Sequence, residues 1–96
     1  MMAMQRWLLI QLIQEAAEVQ KEATKILLFG ETAIDGDGNE YDNRKALENE
    51  LNDLEASRIM LHQSGVTISR SQRSIDLKIE KIKKHAHAQI IGGVFE

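Results

Sequence analysis

Two acidic doublets in this chain are spaced to act together. "QEAAEVQKE" carries Glu15, Glu18 and Glu22, and "ENELND" carries Glu50 and Asp53. Residues three apart on a helix share a face, so Glu15 and Glu18 form one doublet, Glu22 continues its line, and Glu50 and Asp53 form the other. Each doublet lies on the flank of an apolar stripe. If the two stripes pack together, the acidic flanks face each other across the seam. Carboxylates held a few ångströms apart repel strongly. Shared protons at neutral pH would relieve this only with large pKa shifts. A hard divalent cation is the simpler remedy, because magnesium and manganese prefer oxygen ligands and magnesium keeps waters that a substrate can replace. The ordinary alternative is a solvated acidic face, with Lys21 and Lys25 near enough to pair with Glu18 and Glu22.

The elements that must position these groups are helical. From about Ala3 to Phe29, Leu9, Leu12, Ile13, Ala16, Val19, Ala23, Ile26 and Leu27 recur at helical period, and Gly30 ends the run. "ETAIDGDGNEYDN" is polar and rich in Gly, Asp and Asn, which reads as a flexible loop over 31–42. Asp42 or Asn43 caps a second helix from about Arg44 to Gln63, with Leu47, Leu51, Leu54 and Leu61 in line. "SGVT" breaks it. A third helix begins near Ser69, where "SRSQ" fits a capping box, and carries Ile75, Ile79, Ile82 and Ala86. The apolar tail 90–96, "IIGGVFE", is a short strand or a docking tail. The fold class is therefore all-α: one domain over 1–96, a bundle of three main helices.

Composition narrows the partners. The chain has 96 residues, a net charge of −3, no cysteine and no proline. Disulfides and thiolate metal sites are excluded. A mildly acidic chain does not bind a nucleic acid polymer through its overall charge. No stretch is long and apolar enough to cross a membrane, since Glu15 and Glu18 interrupt the best candidate. The start reads as structure rather than a signal peptide, and the expected location is cytoplasmic. A small aliphatic core favours completion by a second copy.

"EAAE" on one helix, a loop, then "ELND" on the next resembles the MazG-like all-α nucleoside triphosphate pyrophosphohydrolases. The surroundings "LIQEAAEVQKEATKILLFG" and "NRKALENELNDLEASRIML" share that family's alternation of apolar and acidic positions. The similarity spans roughly residues 8–61. It implies a bundle completed by homodimerisation or homotetramer formation. It implies hydrolysis of a nucleoside triphosphate to the monophosphate and pyrophosphate, with magnesium (or manganese) held by Glu15, Glu18, Glu50 and Asp53. Many relatives carry a further glutamate where this chain has Gln14, which removes one outer-shell base. The segment between the motifs also looks longer than in compact members. The nearest related activity is that of phosphoribosyl-ATP pyrophosphohydrolase. From another class, a non-catalytic helical interaction module would use the same stripes with the acids merely solvated.

Such chemistry assigns further roles. A carboxylate must orient or deprotonate the attacking water, and Glu18 is the first choice, with Glu22 available to share the coordination. Phosphates call for cations: Lys78 and Lys81 share a face of the third helix, and Arg58 falls within the stripe of the second. A base needs an apolar wall, for which Trp7, Leu8 and Gln11 precede the acidic motif. Two other signals fail. "DGDGNEYDN" lacks the glycine and glutamate of an EF-hand loop at the required places. His85 and His87, two apart, point away from each other on a helix and make no zinc site with His62 distant in sequence.

Overall fold

In the computed structural model, which describes residues 1–91, the order is helix α1 (Ala3–Phe29), strands β1 (Thr32–Ile34) and β2 (Glu40–Asp42), then helices α2 (Asn43–Gln63) and α3 (Gln72–Ile91). The all-α expectation holds in its main part, three helices, with a small two-stranded sheet added. The tail beyond Ile91 lies outside the described residues. No described helix is long and apolar enough to cross a membrane.

The helix ends follow from local chemistry. Gly30 has φ 90°, a left-handed value that costs glycine nothing, and its N–H donates to Ile26 O at 2.8 Å, ending α1. Asp42 caps α2 by accepting from Lys45 N at 2.9 Å. The start of α3 corrects the expected one: Ser71 Oγ accepts from Ser74 N at 3.2 Å, and the helix begins at Gln72 rather than near Ser69. "SRSQ" contains two serines, and the second does the capping.

The expected flexible loop over 31–42 is instead an antiparallel hairpin, with Thr32 opposite Asp42, Ala33 opposite Tyr41 and Ile34 opposite Glu40. Asp35 organises its turn. Oδ1 accepts from the backbone N–H groups of Asp37 (2.9 Å) and Asn39 (3.0 Å), and Oδ2 accepts from Asn39 Nδ2 (3.1 Å) and Tyr41 Oη (2.9 Å). Gly38, at φ 83°, supplies the left-handed residue such a turn needs. These bonds hold the Asp35 carboxyl at about 2, below its ordinary 3.8, with the Asn39 side chain the largest cause.

The antiparallel pair α1 and α2 is pinned at both ends. Near the start of α1, Gln5 Nε2 donates to Ser64 O at 2.9 Å; near its end, Asn43 Nδ2 donates to Gly30 O at 3.0 Å. Between these pins the seam differs from the expected stripe. Leu8 and Leu61 are the buried apolar side chains among the described residues, while Ile13 is 68% and Leu27 87% exposed. The α1 positions turned inward run through Leu8, Leu12, Glu15, Glu18, Val19 and Glu22, so the acidic line lies within the seam and part of the aliphatic stripe faces outward. Leu51, expected in the α2 stripe, is half exposed for the same reason.

Helix α3 swings away from this pair. The radius of gyration is 17.3 Å and the shape is flat, 46 × 41 × 17 Å. A compact chain of this length has a radius of about 12–13 Å. Ile79 and Ile82 on α3, like Ile10 and Ile13 on α1, are left on the surface.

With so small a core, one side chain carries a large share of the seam. Leu61→Ala should lower stability by about 2–5 kcal/mol in denaturant unfolding. A loss below about 1 kcal/mol would show that the two helices are held together elsewhere.

Candidate metal centre

The α1–α2 pairing brings the two acidic doublets together. One carboxylate oxygen each from Glu15, Glu50 and Asp53 lies within 4.8 Å of the others. Glu15 and Glu50 are half-buried and Asp53 is exposed, so the cluster opens to solvent on the α2 side. The convergence has a sequence cause. Glu15 sits on the inward line of α1, and Glu50 and Asp53, three apart, share the face of α2 opposite it.

The electrostatics record the crowding. The Glu50 carboxyl is raised above its ordinary 4.5, first because partial burial disfavours its charge, then by the charge of Asp53, a hydrogen bond to Glu15, and the charges of Glu15 and Glu18. No lysine or arginine is bonded to Glu15, Glu50 or Asp53 among the described residues; the other acids Glu18, Glu22 and Glu55 each have one, and Glu48 has two. Lys21, Lys25, Arg44, Lys45 and Arg58 are thus paired with other acids, and the centre of the cluster is left without a bonded base.

Other expected site residues fall in different places. Glu18 is half-buried, 3.9 Å from Lys21 Nζ, and outside the cluster, though close enough for its charge to act on Glu50. Glu22, two turns beyond Glu15, is about 10 Å further along the axis. It is buried to 7% exposure; Oε1 accepts from Lys25 Nζ at 3.2 Å, and Oε2 is buried with no partner. Both lysine pairings proposed from the sequence are present.

Arg58 is held in α2 by a fork onto Glu55 and also donates to Ile68 O at 3.3 Å. It lines an open groove with Lys78 where α3 leaves the body. Lys78 and Lys81 ride on a helix that turns away from α1. Among the base-wall candidates, Leu8 fills the seam and cannot face a ligand, Gln11 is half-buried, and Trp7 is 54% exposed.

Sequence reasoning passed over a second concavity. A cavity of 340 Å³ is lined by Lys25 and Phe29 of α1, Ala33 and Ile34 of β1, Asp35, Tyr41 of β2 and Asn43. A signal for it existed: two short β-compatible runs around a glycine-containing turn read as a hairpin, not a loop.

The donor set fits a hard divalent cation. It offers only carboxylate oxygens, from two rigid helices, with no positive side chain bonded to them. Comparison with protein-family models, curated proteins and solved structures found no match to this chain.

The raised Glu50 value makes the metal-free chain sensitive to pH in a defined direction. Its folded-state value lies above the unfolded one, so its contribution to stability is fully present below 4.5 and is lost as pH rises through the folded value. Asp35 acts in the opposite sense, stabilising above 3.8 and losing that contribution as pH falls toward about 2. Thermal melts in EDTA should therefore show Glu50→Gln melting higher than the parent near neutral pH, with the gap closing as pH falls through the glutamate range. A parent that melts as high as the variant at neutral pH would contradict the assigned repulsion.

Proposed function

We propose that this chain is a metal-dependent nucleotide pyrophosphohydrolase of the MazG-like type, converting a nucleoside triphosphate to the monophosphate and pyrophosphate. The observation that carries this reading is the convergence of Glu15, Glu50 and Asp53 from two helices. It is the arrangement the motif resemblance requires of three of its four acids. The fourth, Glu18, stands on the same inward line of α1.

An acidic site cannot bind a triphosphate unaided. Magnesium or manganese, when bound, neutralises phosphate oxygens and makes a coordinated water more acidic. Glu15, Glu50 and Asp53 would hold it, and the bound charge would offset the crowding that raises the Glu50 carboxyl. Glu18 is the residue for orienting or deprotonating the attacking water, because it adjoins the cluster without belonging to it. Glu22 is buried beside Lys25 with one oxygen unused. It accepts from Lys25 and so positions that ammonium at the far end of the acidic row.

The chain acts as a homodimer or homotetramer in this reading. A flat shape, few buried apolar side chains and an α3 helix with exposed isoleucines all favour a second copy as the missing half of the core. Lys78 and Lys81, carried away from their own carboxylates, then become available to a neighbouring copy's phosphates.

The test is pyrophosphate release from a panel of nucleoside triphosphates and phosphoribosyl-ATP, with and without magnesium, alongside the solution mass. Magnesium-dependent release by an assembly of at least two 10.9 kDa chains is expected. Glu15→Gln or Asp53→Asn should lower turnover at least about a hundredfold, the upper end of what outer-shell partners alone are worth. The same changes should abolish the stabilisation by magnesium, which for the parent reaches about 2.7 kcal/mol at a hundredfold excess over Kd. Preference for phosphoribosyl-ATP would reassign the substrate. Undiminished cleavage in either variant would remove the site. A folded monomer with no ion dependence and no cleavage would leave a helical interaction module.

A further inference from the structure

We propose that the cavity between the end of α1 and the hairpin receives the nucleobase of the substrate, stacked on Tyr41 and Phe29, with the triphosphate running back along α1 past Lys25 to the carboxylates. This deepens the reading above and rests on it.

Three features of the cavity carry the inference. Its size, 340 Å³, falls within the range of small-ligand sites, and its walls are Phe29, Tyr41, Ile34 and Ala33. The Tyr41 ring is set in advance. Its hydroxyl donates to Asp35 Oδ2 at 2.9 Å, and Asp35 is itself fixed by the turn. A planar base gains most from a flat aromatic wall that needs no ordering on binding. Asn43, a buried residue of the lining, commits Nδ2 to Gly30 O at 3.0 Å, which leaves its Oδ1 to accept from an N–H of the base.

The position relative to the acids is the further support. Lys25 lines the cavity and also bonds Glu22 at 3.2 Å, the acid at the cavity end of the row that runs back to Glu15. From Lys25 back to Glu18, the residue assigned to the attacking water, is seven residues of one helix, or about 10 Å. That is comparable to the reach of an extended nucleoside triphosphate from base to the bond between its α- and β-phosphates, which is the bond that breaks. The Lys25 ammonium has three donors, of which Glu22 takes one, so it can meet a phosphate oxygen on the way. Trp7, by contrast, lies on the other side of Glu15, near the free end of α1. The two candidate base sites are thus at opposite ends of the acidic row and can be told apart.

The experiment has two arms. In EDTA, nucleoside monophosphates are titrated into the full chain while ring resonances are followed by NMR. Tyr41 is the single tyrosine and Trp7 the single tryptophan, so each reports without ambiguity. Shifts at Tyr41 are expected. In the second arm, kcat/KM for the best triphosphate is compared with that for inorganic tripolyphosphate, which has no base. Tyr41→Leu and Phe29→Leu should each reduce that preference about tenfold or more, mainly through KM, with Tyr41→Phe retaining most of it. Shifts confined to Trp7, or loss of preference in Trp7→Leu instead, would overturn the inference and leave the hydrolase intact. If Tyr41→Leu dissociates the assembly without changing KM, the cavity is a contact between copies and the inference is likewise overturned. Tyr41 shifts from a chain that cleaves no triphosphate would keep the pocket and overturn the hydrolase.

Discussion

Like-charge repulsion inside the α1–α2 seam is the constraint on which the rest depends. A two-helix interface in water normally buries an apolar stripe. Here the inward line of α1 alternates leucine and valine with Glu15, Glu18 and Glu22, and α2 answers with Glu50 and Asp53. The arrangement is costly alone: the Glu50 carboxyl is raised, first by partial burial and then by the charges around it. Packing at Leu8 and Leu61 and the hydrogen-bonded pins at Gln5 and Asn43 hold the helices together at the ends. The middle is left to the carboxylates, and a divalent cation there, as we propose, would replace repulsion with coordination.

That constraint accounts for the outward aliphatic side chains. Since the acids occupy the seam, Ile13 and Leu27 cannot, and they join Ile10 on the surface of α1. Together with the exposed isoleucines of α3 they form faces that a second copy would cover. In the proposed reading folding, assembly and ion binding would be coupled, each supplying part of what the others lack.

Much of this was legible in the residues, for reasons that differ by element. Gly30 marked the end of α1, because only glycine takes its backbone conformation freely, and Asp42 marked the start of α2 by its capping chemistry. The convergence of the acidic doublets followed from helical spacing plus one assumption, that α1 and α2 pair. The rotation of α1 did not follow. Periodicity locates a stripe but not which side of it meets the chain's own second helix and which is left for a partner. The hairpin was missed because its order comes from Asp35, whose four bonds reach residues up to six positions away and leave no periodic trace. The departure of α3, which removes Lys78 and Lys81 from their expected place, depends on the turn after α2, where Gly65 takes φ 102°. Composition there signals a break but not its angle.

The central claim is that Glu15, Glu50 and Asp53 hold one divalent ion between α1 and α2. An anomalous difference map from crystals grown with manganese tests it most directly. The account predicts a peak about 2.0–2.3 Å from a carboxylate oxygen of each of the three residues. A map with no peak between the two helices at saturating manganese, or with ions only on outer faces, would contradict it.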